Sequence, residues 1–228
     1  MKKLLPFLLI LLIGCSDQPT SPYVILKSSK TIGGHQFDVQ VYGRLTKPQL
    51  VAIASKIKKD SSQYDNLQID YLLPGNSYKN LGGIVVFATA AYHDARKVTA
   101  ADTVMDLHDN RLSFEFIGFT AQQARHLLSF DPTDINGKTI LGRFIDDNTK
   151  TVSIIYKDGS NQSQVYILEL DTAGKIVSAT QPLMVMHNGI QKLVISQKGD
   201  YCTLENDMLT MYSSDDPDKP YRSIKAGM

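Results

Sequence analysis

The sequence predicts an α+β protein: a small ββαββ-type module followed by a C-terminal antiparallel β-meander, closed as a barrel or stacked as a sandwich. Three observations carry that expectation. Over residues 23–92, one run of apolar residues at helical spacing (Leu50, Ile53, Ala54, Ile57) stands between pairs of strand-like segments. From Thr139 onward, short alternating runs are separated by Asp-Gly, Ala-Gly, Asn-Gly and Lys-Gly-Asp turns. Between these halves, Asp131-Pro132-Thr133-Asp134-Ile135-Asn136-Gly137 has the composition of a linker. The expected division is a leader at 1–14, a tether at 15–22, an α+β domain at 23–130 and a β-meander domain at 138–228.

Tyr23 to Lys27 reads as a strand, and Thr31-Ile32-Gly33-Gly34 is turn chemistry. His35 to Tyr42 then alternates, with Phe37, Val39 and Val41 on one face and Gln36, Asp38 and Gln40 on the other. Thr46-Lys47-Pro48-Gln49 opens a helix: Thr46 and Gln49 form a capping box, and Pro48 falls in the first turn, where no donor is needed. Asn66 to Leu73 is a strand that Pro74-Gly75 breaks. Gly83 to Tyr92 is apolar on both faces, as interior strands are. Residues 94–110 carry no clear pattern. Arg111 to Phe119 reads as a strand, and Thr120-Ala121-Gln122-Gln123 repeats the capping box ahead of a short helix to about Ser129. The meander runs fall at 139–145, 151–157, 163–170, 175–180, 183–187, 190–196, 200–205 and 208–213. Asp215, Asp216 and Asp218, punctuated by Pro217 and Pro220, predict a solvated C-terminal loop.

The chain opens with Met1-Lys2-Lys3, an apolar run from Leu4 to Ile13, and Gly14-Cys15-Ser16-Asp17. A short basic segment, an apolar stretch too short to span a bilayer and a small residue before a cleavage point make an export-signal pattern. Leu12-Ile13-Gly14-Cys15 resembles the lipobox of bacterial lipoprotein precursors. That resemblance implies cleavage before Cys15, diacylglycerol on its thiol, and usually a further acyl chain such as palmitate on the new amino group. Two or more chains make anchoring stable where one does not. Ser16 after the cysteine resembles the pattern that sends such proteins on to the outer membrane.

Losing the leader removes Lys2 and Lys3 from the 24 basic residues, leaving 22 against 23 acidic ones. That balance argues against nucleic acid as a partner, because phosphate binding needs clustered positive charge. With Cys15 lipidated, Cys202 has no thiol to pair with, so the fold must rest on its core. Tyr71-Leu72-Leu73-Pro74-Gly75 and the following Gly82-Gly83 resemble a motif of uncharacterised secreted bacterial proteins. Gly142-Arg143-Phe144-Ile145-Asp146-Asp147 and Gly199-Asp200-Tyr201 are similar to segments of the β-rich tail in those proteins. The resemblance implies architecture and no activity.

No constellation in the body demands a particular chemistry. Asp106 and His108, two apart, would share a face on a strand, but a metal site needs three or four ligands. His93-Asp94 reads as a cap or turn. Asp158 to Glu169 lacks the turn glycine of a calcium loop at the sixth place, where Ser163 stands. Cys202 alternates with Leu204 and reads as a buried apolar thiol. The loop Asn76, Ser77, Tyr78, Lys79 and Asn80, set between two strands, is the candidate binding loop. No catalytic residue, metal or cofactor is assigned. The leading expectation is a non-enzymatic, lipid-anchored envelope lipoprotein that contacts another envelope protein or a cell-wall component. The first alternative is a carrier of a small apolar ligand, with Tyr156, Met184, Met186, Ile195 and Met211 lining a barrel cavity. The second alternative is an envelope hydrolase.

Overall fold

The computed structural model describes residues 21–75, 86–93, 103–132, 135–159 and 161–227. The leader, Cys15 and the candidate loop Asn76–Asn80 lie outside the described residues.

The expected α+β class with a ββαββ module is overturned. Of the described residues, 53% lie in strands and 13% in helices, and the strands form three sheets. The first sheet has six strands: β1 (Tyr23–Thr31), β2 (Gly34–Val41), β3 (Leu67–Leu72), β4 (Ala88–Tyr92), β5 (Thr103–Met105) and β6 (Arg111–Phe116), in the order β1-β2-β3-β4-β6-β5. Sequence reading fell short at β5, in the unpatterned stretch. It also gave β6 no place in the sheet, where the strand pairs along β4 from Leu112↔Tyr92 to Phe116↔Ala88.

One helix, α1 (Lys47–Asp60), covers one face of this sheet. Its start follows the capping box: the Thr46 N–H donates to Gln49 Oε1 at 2.9 Å. Leu50, Ile53, Ala54 and Ile57 pack on Val39, Ile69 and their neighbours, and the Tyr71 hydroxyl donates to the Leu50 carbonyl at 2.7 Å. Because α1 carries the chain from β2 back to β3, those two strands run parallel.

The second helix, α2 (Ala121–Ser129), belongs to a different layer. Ala124 and Leu127 join Phe119 and Ile135 against Ile145, Val152, Ile154 and Leu168 of the second sheet. That sheet holds β7 (Thr139–Asp146), β8 (Thr151–Asp158), β9 (Asn161–Leu170) and β10 (Ile176–Thr180) in the order β10-β9-β8-β7. Its other face packs on the third sheet, which runs β11 (Leu183–His187), β12 (Ile190–Val194), β13 (Tyr201–Glu205), β14 (Met208–Ser213) and β15 (Asp216–Lys225) in sequence order. Phe144, Ile155 and Val165 meet Leu193, Cys202, Leu209 and Ile224 there.

The meander is therefore two stacked sheets and not a closed barrel. The predicted C-terminal loop is strand β15, whose Pro217 and Pro220 are tolerated because it lies at a sheet edge. The turn between β11 and β12 is the expected two-residue one: Asn188 and Gly189 have φ of 50° and 79°, as a type I′ turn requires.

Candidate functional site

Alternation along β2, β3, β4 and β6 sends one set of side chains to α1 and the other set to the opposite face. Asp38, Asp70, Thr89 and Glu115 fall in register on that second face, forming a row across four strands. Asp38 is 4% exposed and Asp70 7%. Neutral groups hold the two carboxylates. The Gln36 amide donates to Asp38 Oδ1 at 3.2 Å and to Asp70 Oδ2 at 2.9 Å. The Gln68 amide donates to Asp70 Oδ1 at 3.0 Å, and the Thr89 hydroxyl donates to the same oxygen at 3.1 Å. Among the described residues no cation lies within ion-pair distance of Asp38 or Asp70.

The middle of the row, Asp70 and Thr89, lines a cleft of about 340 Å³ together with Gln68, Ile117, and Asp147 and Asn148 from the β7–β8 turn. Asp147 is held by other groups. Arg44 grips it with two parallel bonds of 2.8 and 2.9 Å, and the Phe119 N–H donates to its Oδ1 at 2.8 Å. A third Arg44 bond, 2.9 Å to the Phe119 carbonyl, ties the same arginine to the start of α2. Gly118 is required here, since a Cβ at that position would lie 2.2 Å from Asp147 Oδ1. The Arg44–Asp147 clamp thus fixes the wall of the cleft that comes from the second sheet. Arg222 pairs with the neighbouring, buried Asp146, joining β15 to the end of β7.

The residues singled out from sequence fall elsewhere. Asp106 and His108 do not share a strand face. Asp106 organises the turn after β5: its Oδ1 accepts from the N–H groups of His108 and Asn110, both at 2.8 Å, and its Oδ2 accepts from the Tyr92 hydroxyl at 2.8 Å. Burial alone would raise the Asp106 carboxyl, but bonds from Tyr92, Asn110 and His108 outweigh it and hold the group below its ordinary value. The folded state therefore favours the ionised form. The resulting stability is present above the ordinary carboxylate range, near pH 4, and is lost as pH falls through the lowered value. Thermal unfolding of the wild type is expected to drop in midpoint between about pH 5 and pH 2. Asp106→Asn should flatten that part of the profile, and an unchanged slope would assign the acid sensitivity to other groups.

Cys202 lies in the core between the second and third sheets, where burial pushes its thiol up to about 12, so a thiolate nucleophile is not formed there at neutral pH. The five residues named for a carrier cavity do not converge. Tyr156 faces α2, whereas Met184, Ile195 and Met211 face the third-sheet core, and Met186 is 67% exposed. Among the described residues, no three His, Cys, Asp or Glu side chains group as metal ligands.

The Asp38–Asp70 row was not singled out from sequence, although its alternation was visible. The missing signal was burial: Asp38 stood on the face expected to meet solvent. A comparison of the chain with protein families, curated proteins and solved structures gives no match.

Proposed function

We propose that this chain is an envelope lipoprotein, anchored through lipid on Cys15 to a bacterial membrane, the outer one by its Ser16, that works as a non-enzymatic interaction module. The recognition surface is the acidic cleft of the first sheet, and its partner is an envelope protein or a cell-wall component presenting a basic group. The observation that carries this reading is the pair Asp38 and Asp70: two buried carboxylates side by side in register, Asp70 on the cleft wall, that among the described residues are held by amide and hydroxyl donors. A lysine, arginine or free amine from a partner would supply the opposite charge. Burial strengthens such a pair, and losing one member of an interfacial pair of this kind typically costs about 2–5 kcal/mol of binding.

The test is photo-crosslinking in intact cells from a position beside the cleft. One reproducible partner is expected, with capture reduced by at least about tenfold in Asp70→Asn while the thermal midpoint stays close to wild type, tenfold being about 1.4 kcal/mol. Equal capture by wild type and Asp70→Asn would remove the cleft from the interaction. The hydrolase reading draws on the same geometry, since one Gln36 amide touches both carboxylates and so holds them close together, as paired acid-base groups are. It predicts that Asp70→Asn leaves capture intact and lets an uncleaved wall substrate accumulate. The carrier reading was built on a closed barrel, whereas the described meander strands form two stacked sheets, so it has no observation of its own behind it.

A further inference from the structure

A sheet edge is a row of free N–H and C=O groups, and proteins block such rows with lysines, prolines, bulges or very short strands. Among the described residues, five of the six sheet edges carry a device of that kind. β1 has Lys27, Lys30 and a register shift after Ile25. β5 is three residues long. β10 is irregular between Ile176 and Ser178, and β7 between Ile140 and Gly142. β15 carries Pro217 and Pro220. The remaining edge, β11, is Leu183-Met184-Val185-Met186-His187, paired with β12 without a shift over its whole length. It holds no lysine, arginine, carboxylate or proline, and Leu183, Val185 and Met186 are 68%, 41% and 67% exposed.

We infer that β11 is an interface between two copies of this chain, which pair through it edge to edge, antiparallel, about a two-fold axis at Val185. The register follows from the hairpin. A two-residue turn at Asn188–Gly189 makes the flanking pair His187↔Ile190 a hydrogen-bonded one, and such pairs alternate along the ladder. Leu183, Val185 and His187 therefore turn their backbone groups toward β12, while Met184 and Met186 turn theirs outward. A two-fold at Val185 sets Met184 of one copy opposite Met186 of the other, so that each such pair exchanges both of its N–H···O bonds. Val185 meets its own counterpart as a non-hydrogen-bonded pair, where side chains approach most closely.

The two-fold stands perpendicular to the sheet and keeps faces matched. Methionines gather on one side, and Leu183 and Val185 on the other, with no like charges opposed. The third sheet then continues through both copies as one ten-stranded sheet. One five-residue strand per copy buries less than the roughly 1,200–2,000 Å² of a stable standard interface, so the pair forms at high local concentration and separates on dilution.

The test is disulfide trapping in the full-length chain. Val185→Cys places two thiols at a non-hydrogen-bonded antiparallel pair, whose Cα separation of about 4.5 Å suits a disulfide. Thr180→Cys, on the blocked edge β10, is the control, and buried Cys202 is the internal one. With an air oxidant and a copper catalyst, Val185→Cys is expected to give a species of twice the chain mass at least about tenfold faster than Thr180→Cys. Adding Met186→Lys, which leaves the strand on an exposed edge, should cut that rate back to the control. Equal rates for the two cysteine variants would overturn the inference. So would trapping at a mass other than twice the chain, which would give the edge to a different protein's strand.

Discussion

Asp147→Ala is expected to lower the unfolding free energy by about 3–5 kcal/mol, the usual cost of breaking a buried ion pair from one side. Both side chains are withdrawn from water, Arg44 at 6% exposure and Asp147 at 1%. The substitution removes the carboxylate that takes two bonds from a buried guanidinium, and it strips the Phe119 N–H of its acceptor. The loss is larger than a surface pair would give, because those contribute about 0–1 kcal/mol. The pair also joins two layers: Arg44 follows β2, and Asp147 opens the turn after β7, so its loss loosens the first sheet from the second. Guanidinium denaturation checks it, with a lower midpoint expected at unchanged slope. An apolar pair, Arg44→Met with Asp147→Leu, should recover much of the loss, since well-packed apolar replacements of buried ion pairs are often neutral or better. A single-variant cost under about 1 kcal/mol would mean that the clamp is solvated in solution.

Cys15→Ser should abolish membrane attachment. No helix among the described residues is long and apolar enough to cross a membrane, which says nothing of other modes of insertion. In the proposed mature form, attachment rests on acyl chains, each buried methylene contributing about 0.8 kcal/mol, so removing them costs many orders of magnitude in partitioning. Serine offers no thiol for diacylglyceryl transfer, and uncut precursor should accumulate. Detergent phase separation with intact-mass measurement checks both points. A variant that matured at the same place and still partitioned with detergent would end the lipoprotein reading.

Local chemistry was legible in the sequence where one segment decides the outcome. The capping boxes at Thr46/Gln49 and Thr120/Gln123 both form, and the runs assigned from 139 to 213 became strands within a few residues. What could not be read was assembly. The parallel pairing of β2 with β3, the separation of the meander into two sheets, and the transfer of α2 to the second sheet depend on contacts between distant segments. Asp147 and Arg44 are 103 residues apart and carry no local signature of each other. At Asp38, alternation gave the right face and the wrong environment, because period-two patterning says which side a residue takes and not what covers that side. The proline-rich run after Ser213 was misread for a related reason: proline argues against a central strand, but β15 is an edge.

The second sheet has no free side. Ile154 and Ile155 are consecutive residues of β8, yet the first belongs to the core under α2 and the second to the core against the third sheet. One wall thus serves two rooms. Detaching either neighbour would bare a row of isoleucine, valine and leucine to water, at roughly 25 cal/mol for each Å² exposed. The layers on its two sides are therefore bound to share their fate, and breathing motions are pushed outward to the margins of the first and third sheets. A partner that grips those margins meets parts of the molecule that can adjust to it, mounted on a centre that cannot.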